Sequence, residues 1–292
     1  MKPLKKLERL DKVLANNGYG TRKEVRHLVR CKVVKVNGNL VTNPDNPVDV
    51  FTDTIEINGI QVTIRQNIYL MMNKKAGYVC SSRGGMHPIV YDLLSEEYFK
   101  KFLSGDLHMV GRLDVDTEGL LILTTDGAMT HRLTSPKYHC SKKYLVYLRD
   151  AVSEKDKEIY VQKMAAGLHI EPEDNDPAAD CLPAELEWAD ESKFTDADGN
   201  TPSAAAYLTL YEGKYHEVKR LFKACGNLVV YLKRESINNL ELDHSIEIGK
   251  YRELTQDEVK ALDVDQLNPH YKAPQKAEYS DNNIEEMENV DD

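Results

Sequence analysis

The first stretch of the chain predicts two short helices separated by a turn. Apolar residues recur at helical spacing near the N-terminus, at Leu7, Leu10 and Leu14. The run from Asn16 to Gly20 is rich in turn-forming residues and ends that helix. Thr21 and Glu24 then have the spacing of a capping box, which predicts the start of a second helix. Its expected apolar face comprises Val25, Leu28 and Val29.

A hairpin is predicted directly after these helices. Val33–Val36 and Leu40–Thr42 are apolar enough to be strands, and Asn37-Gly38 between them is typical of a two-residue hairpin turn. A further strand at Thr54–Ile57 carries this first unit to about residue 66.

A second unit begins near residue 67 and mixes strands with helices. The predicted strands are Ile68–Met72, Leu120–Thr124, Tyr144–Leu148, Ala184–Trp188, Tyr207–Tyr211 and Leu228–Leu232. The predicted helices are Val90–Phe102, Asp126–Leu133, Glu154–Ala166 and His216–Ala224. The order shows no regular strand–helix repeat, and neither G-x-G-x-x-G nor a P-loop is present. We therefore predict an α+β protein rather than a nucleotide-binding fold.

Charge is segregated along the 292 residues, although the net charge of −10 suggests a uniformly acidic protein. Residues 1–35 hold 11 Lys/Arg against three Asp/Glu, whereas residues 171–198 hold 11 acids and one Lys. Residues 254–292 are again acidic, with 11 acids and three bases, and we expect disorder from about residue 268. The basic head fits a polyanion-binding surface and fits a solvated helix face equally well.

Compartment and metal binding are constrained by the cysteine and histidine pattern. The five Cys are widely spaced, with no C-x-x-C pair, and no segment has the length of a membrane span or a signal core. We expect a cytoplasmic protein with reduced thiols. The histidines show no paired ligand spacing, so no metal and no cofactor are predicted.

The most informative segment is Gly111–Gly127, where a charged turn leads into an apolar strand. Asp114 lies on the loop before that strand, where a carboxylate can face a cleft as nucleophile, base or metal ligand. Taken alone, the same residue also fits an aspartate that caps a turn.

Taken together with three further segments, this run resembles the pseudouridine synthases that carry an N-terminal S4 RNA-binding domain and act on ribosomal RNA. The head resembles the S4 domain. Tyr69–Ser82 is similar to the first catalytic motif, except that Lys75 replaces the usual Pro. His131–Leu145 and Glu212–Phe222 resemble the remaining motifs. The resemblance covers roughly residues 7–255.

Within this branch, two segments are most similar to the small-subunit enzymes, which make the single pseudouridine at position 516 of 16S rRNA. These segments are Tyr78–Ser81 and Ser135–Cys140. The resemblance implies an S4-like domain at 1–66, a catalytic domain at 67–255 with a mixed, mainly antiparallel sheet flanked by helices, and an acidic extension at 256–292.

The resemblance also implies the catalytic residues. The reaction breaks the N1–C1′ bond of a uridine, rotates the uracil and rejoins it through C5, without a metal or a nucleotide cofactor. Asp114 is implied as the essential carboxylate, either adding to C1′ or removing the 2′ proton. Lys219 is implied as the cation that keeps it charged, and Tyr144 as the aromatic that stacks on uracil. Without the resemblance, Lys219 and Arg220 also fit an exposed helix face, and Tyr144 fits a core residue of a strand.

The predicted partner is ribosomal RNA or an assembling small-subunit particle, bound by a monomer without a membrane. Backbone contacts are expected from basic residues of the head and of the central motif, namely Arg22, Lys23, Arg26, Arg30, Lys32 and Arg112. The alternatives are a 23S rRNA enzyme of the same branch and a non-catalytic rRNA-binding assembly factor.

Overall fold

The computed structural model describes residues 7–262, apart from residues 51, 63, 65, 66, 104, 106 and 196–198. The predicted disorder beyond residue 268 therefore lies outside the described residues. No helix in the described part of the chain is long and apolar enough to cross a membrane.

The N-terminal unit packs two helices on short strands. The helices are α1 (Leu10–Asn16) and α2 (Arg22–Arg30). The strands are β1 (Leu7–Arg9), β2 (Val34–Val36), β3 (Asn39–Leu40), β4 (Pro47–Asp49), β5 (Ile55–Ile57) and β6 (Ile60–Val62). One sheet has the order β3-β2-β5-β6, and β1 pairs with β4 in a separate ladder.

Local signals in this unit place the second helix and the hairpin correctly. The Thr21 hydroxyl accepts a hydrogen bond from the Glu24 N–H, and the Glu24 carboxylate accepts one from the Thr21 N–H at 2.7 Å, so the capping box is confirmed. Asn37 and Gly38 have φ values of 51° and 77°, the left-handed conformation that this type of hairpin turn requires.

The predicted helical role of Leu7 is wrong. Leu7 lies in β1, where it pairs with Asp49, and its side chain is 55% exposed. The helix begins only at Leu10, and it buries Leu10 and Leu14 completely. The three leucines have helical spacing, but the pairing of β1 with β4 keeps Leu7 out of the helix.

The second unit is built on one mixed sheet of the order β13-β14-β10-β15-β9-β7-β17. The central strands are β7 (Tyr69–Lys74), β8 (His108–Met109), β9 (Glu118–Thr124), β10 (Lys142–Leu148), β13 (Glu185–Ala189), β14 (Ala204–Leu210), β15 (Val229–Ile237), β16 (Leu240–Glu241) and β17 (Tyr251–Glu253); β11 (His169–Ile170) and β12 (Ala179–Asp180) form a separate pair. All pairings in the large sheet are antiparallel except β9 with β15, so the predicted α+β class is confirmed.

Alternate residues of the central strands enter two different cores. On β10, Tyr144, Val146 and Leu148 pack into the larger core, whereas Leu145 and Tyr147 pack on the opposite face. Tyr144 and Tyr147 therefore face opposite sides of the sheet, which follows from the two-residue period of a strand.

The helices of this unit are α3 (Glu96–Leu103), α4 (Gly127–Thr134), α5 (Glu154–Ala166), α6 (Glu217–Ala224) and α7 (Gln256–Ala261). The continuous helix predicted at 90–102 is wrong. A single 3₁₀ turn at Val90–Leu93 is followed by extended backbone at Leu94, after which α3 begins. This break lets the Tyr91 ring stack on Phe102, with 3.7 Å between ring centroids.

The packing of the second unit continues beyond residue 255. Helix α7 begins with a capping box between Thr255 and Glu258, and Leu262 at its end is completely buried in the second core beside Leu240 and Leu242. Part of the segment predicted as an acidic extension is thus packed against the sheet.

Candidate active site

The loop between β8 and β9 carries Asp114, and the buried Lys74 side chain hydrogen-bonds to the backbone of this loop. The Lys74 side chain has no exposed surface, and its Nζ donates to the carbonyl oxygens of Thr117 at 2.8 Å and Asp114 at 3.0 Å. A further contact at 3.3 Å reaches the Val115 carbonyl. One ammonium therefore fixes the loop backbone from Asp114 to Thr117.

Burial lowers the pKa of Lys74, and nearby negative groups oppose that change only in part. These three carbonyl contacts and a fourth, to the Lys75 carbonyl at 3.3 Å, replace the hydrogen bonds that water would otherwise make to this ammonium. A buried charge is tolerated only when its donors are satisfied. Lys74 is thus a structural clamp for the loop. Sequence reasoning placed it inside a motif but assigned it no role.

The Asp114 carboxylate lies beside two residues from the start of α6. Its Oδ2 is 3.1 Å from the Lys219 Nζ, and its Oδ1 is 3.7 Å from the His216 Nε2. Lys219 also contacts Asp116 at 2.7 Å. Asp114 and Lys219, predicted from segments about 100 residues apart, therefore form an ion pair, and Asp116 joins it.

Two carboxylates keep Lys219 charged. Burial by itself would lower the pKa of this lysine, but the Asp116 and Asp114 carboxylates outweigh that effect and hold the pKa above its ordinary value. The ammonium is 23% exposed and Asp114 is 25% exposed, so the pair is at the edge of a cavity and accessible from solvent.

Helix α6 is oriented by its apolar side. Val218, Leu221 and Phe222 are buried in the larger core, and this leaves Lys219 directed toward Asp114. The alternative that Lys219 and Arg220 form an exposed face is wrong. Arg220 is 3% exposed and donates to backbone carbonyls, including those of Glu171 and Pro177, so it ties the start of α6 to the preceding loops.

Tyr144 lies at the inner end of the same cavity as Asp114. It is 8% exposed, and burial raises the pKa of its hydroxyl, an effect that the adjacent Arg234 guanidinium opposes. Arg234 is directly opposite Tyr144 in the β10–β15 pairing. Asp114 and Tyr144 thus line one cavity, Lys219 pairs with Asp114, and the cavity also contains an arginine that sequence reasoning missed.

Two further cavity residues, Lys142 and Glu217, were not among the predicted catalytic residues. Lys142 donates to the carbonyls of Cys140 and Glu212 at 3.0 and 3.3 Å, and burial lowers its pKa. Glu217 is 4% exposed, and its Oε2 accepts a hydrogen bond from the Lys214 N–H at 2.7 Å. Burial, to which the nearby Glu212 carboxylate adds, raises the pKa of Glu217 to about 7.

One group in the described part of the chain has the spacing of a metal site, formed by Cys181, Glu212 and Glu217. The ammonium of Lys214 already pairs with Glu212 there. Burial raises the pKa of the Cys181 thiol to about 12. A cation held by these three residues would have to displace the Lys214 ammonium from Glu212.

Most of the basic residues predicted to contact RNA are exposed, and one of them is already paired with carboxylates. Arg22, Lys23, Arg30 and Lys32 are exposed on and after α2. Arg26 differs, because its Nη1 contacts the buried Asp11 at 3.0 Å and Asp45 at 3.2 Å. Arg112 is exposed at the mouth of the cavity, two residues before Asp114.

The two nearby aspartates have different roles. Asp126 accepts a hydrogen bond from the Met129 N–H at 3.0 Å and caps α4. The Asp116 side chain is 65% exposed, and its carboxylate pairs with Lys219.

Comparison with known proteins adds family matches to this geometry. The family model described as RNA pseudouridylate synthase matches residues 68–224, and the S4 domain model matches residues 8–55. The chain is 41% identical over 256 residues to an uncharacterised RNA pseudouridine synthase of Bacillus subtilis, covering 87% of this chain and 98% of the relative. It is 39% identical over 254 residues to the ribosomal small subunit pseudouridine synthase A of Haemophilus influenzae, covering 87% and 99%. A crystal structure of a pseudouridylate synthase aligns with a TM-score of 0.55 at 39% identity, covering 87% of this chain and 99% of that one.

Proposed function

This chain belongs to the RNA pseudouridylate synthase family, and we propose that it converts uridine 516 of 16S ribosomal RNA to pseudouridine. The observation that carries the proposal is the Asp114–Lys219 pair at 3.1 Å, which lies at the mouth of a cavity that Tyr144 closes at its inner end. The proposed target is supported by the Tyr78–Ser81 and Ser135–Cys140 segments, and by relatives at 37–40% identity whose names specify the small ribosomal subunit.

In the proposed mechanism, Asp114 acts at the sugar of a flipped uridine. Its carboxylate either adds to C1′ or removes the 2′ proton, and in both cases the N1–C1′ bond breaks. Lys219 offers a fixed positive charge to the carboxylate, and Lys74 holds the loop so that the carboxylate need not reorganise. Tyr144 stacks on the uracil while it rotates to present C5 to C1′.

The uridine must leave its stack in the RNA to reach this cavity. Extrusion costs a few kcal/mol, which contacts inside the pocket offset. Arg112 at the cavity mouth and the exposed side chains Arg22, Lys23, Arg30 and Lys32 are proposed to hold phosphates. Such contacts position the RNA without reading its sequence. Arg26 is proposed to act at the RNA only indirectly, because Asp11 and Asp45 already bind its guanidinium.

Carbodiimide-based mapping of pseudouridine tests the proposal. Unmodified 16S and 23S rRNA, both free and as assembling particles, are incubated with the wild type, with Asp114→Asn and with Asp257→Asn. Asp257 is a matched control because its side chain is 92% exposed on α7, outside the cavity. We expect a new pseudouridine at position 516 with the wild type and the control, and none with Asp114→Asn.

Each other outcome has a defined meaning. A pseudouridine in 23S rRNA would refute the target while leaving the chemistry intact. A product formed by Asp114→Asn would refute the role of this carboxylate. RNA binding without any product would favour the non-catalytic assembly factor.

A further inference from the structure

The Arg234 guanidinium is buried, and one of its nitrogen donors has no hydrogen-bond partner among the described residues. Arg234 is 2% exposed, and its Nε donates to the Leu120 carbonyl at 2.8 Å. Its Nη2 is shielded from solvent and has no hydrogen-bond partner among the described residues. An unsatisfied buried donor on a charged group costs free energy, so its presence needs a physical reason.

This donor belongs to the cavity of Asp114 and Tyr144. Arg234 lines that cavity, and its backbone opposes Tyr144 across an antiparallel pairing, where side chains lie on the same face. On the other edge of β15, Arg234 pairs with Gly119 of β9. The close approach of these two backbones holds Arg234 in place. The position of the guanidinium is thus fixed before any substrate arrives.

The other charged side chains of the cavity do not offer Arg234 a free carboxylate. The Asp114 carboxylate pairs with Lys219, and the Lys142 ammonium contacts two carbonyls. The Glu212 carboxylate pairs with Lys214, and no carboxylate of the described residues lies within ion-pair distance of the Arg234 guanidinium. An anion of the size of a base in this cavity would therefore be the first negative partner of Arg234.

We propose that Arg234 hydrogen-bonds a carbonyl oxygen of the detached uracil and stabilises its negative charge. The inference rests on the proposed function. When the N1–C1′ bond breaks, N1 keeps the electron pair, and the resulting charge is shared with O2 and O4. This is true whether Asp114 adds to C1′ or removes the 2′ proton. C5 then bonds to C1′ as the Asp114–C1′ bond breaks or, in the other route, as C2′ regains its proton from Asp114. The C5 proton leaves to a base, and N1 is protonated.

A donor placed where charge develops acts mainly on the rate of the chemical step. Removal of one such donor typically costs about 10²–10³-fold in kcat. We therefore expect Arg234→Met to slow single-turnover conversion of uridine by about 10²-fold. The affinity for the RNA substrate should stay within about threefold of the wild type, because the backbone contacts lie elsewhere.

A substrate with a better leaving group distinguishes stabilisation of the detached uracil by Arg234 from a purely structural role of this residue. Fluorine at C5 withdraws electrons and makes the detached base less dependent on an external donor. With a 5-fluorouridine RNA, and with disappearance of the starting nucleoside as the readout for both substrates, the penalty of Arg234→Met should shrink by about tenfold or more. An equal penalty on the two substrates would overturn the inference.

A second test separates a direct contact from an effect through Tyr144. The penalty of Arg234→Met is measured again in a Tyr144→Phe background as a double-mutant cycle. We expect it to persist. If it vanishes there, Arg234 acts only by orienting the tyrosine, and the proposed contact is wrong.

Two further variants test whether the effect of Arg234→Met arises from misfolding. Arg234→Lys keeps the charge, and we expect an intermediate penalty that also shrinks with 5-fluorouridine. Arg252→Met removes an arginine that bridges Asp243 and Glu258 outside the cavity, and it should lower thermal stability without a substrate-dependent change in rate. If the wild type converts no uridine in any RNA, the proposed function fails. If the wild type is active and Arg234→Met is equally active, only the inference fails.

Discussion

Replacement of Glu217 by Gln should stabilise the protein, and more so at higher pH. Burial raises the pKa of Glu217 from its ordinary 4.5 to about 7. Between these values the unfolded chain has lost a proton that the native state still holds, so stability falls as the pH rises through this window. Glutamine cannot ionise, and the variant does not suffer this loss.

The expected gain in the free energy of unfolding follows from the change in the pKa of Glu217. A pKa raised from 4.5 to about 7 corresponds to about 3 kcal/mol of native-state destabilisation above pH 7, which is an upper value because Glu212 and Lys214 share the interaction. We expect Glu217→Gln to add about 1–3 kcal/mol at pH 8 and less than about 1 kcal/mol at pH 5. The Lys214 N–H can still donate to the amide oxygen of the new side chain.

Urea unfolding followed by tryptophan fluorescence measures this directly. The sequence holds one Trp, and Trp188 lies in the sheet unit, packed near Tyr160. The matched control is Glu258→Gln. Its hydrogen bond with Arg252 lowers the pKa of Glu258 to about 2, so this variant should be destabilised equally at pH 5 and pH 8. A stabilisation by Glu217→Gln that does not change with pH would refute the reasoning.

Three further predictions test the loop that Lys74 holds, the close approach of two strands, and the basic N-terminal residues. Lys74→Met should leave several buried carbonyls without a donor and lower both the thermal midpoint and kcat, which a melt and a single-turnover assay would show. Gly119→Ala should destabilise by more than about 3 kcal/mol in urea, because a Cβ there would lie 2.3 Å from a backbone oxygen of the neighbouring strand, whereas Gly127→Ala meets open space and should be tolerated. Replacing Lys23 or Arg30 by Gln should reduce the slope of log affinity for RNA against log salt by about 0.7–0.9 per side chain, and an unchanged slope would exclude that residue from the interface.

Local patterns were sufficient for most of the secondary structure. Helix α5 spans Glu154–Ala166, as its pattern predicted, and the capping box at Thr21 sets the start of α2. Such signals act within one turn of chain, so the sequence contains all that is needed to interpret them.

Local patterns failed where distant packing intervened. The helix predicted across Val90–Phe102 is broken because Tyr91 folds back onto Phe102, and Leu7 joins a strand because β4 lies beside it. In both cases a tertiary contact outweighs a helical spacing, which is a weak preference of a few tenths of a kcal/mol per residue.

The sequence by itself determined the order of the elements and, through motif resemblance, the candidates Asp114, Tyr144 and Lys219. Only the tertiary structure decided that Asp114 and Lys219 pair and that Arg234 completes the cavity. Arg234 carries no local signal, since it is one basic residue in a strand. Its significance arises because the pairing of β10 with β15 brings it against Tyr144, from some 90 residues away. One of its donors is shielded from solvent there, and an unpaired buried donor is costly and therefore informative.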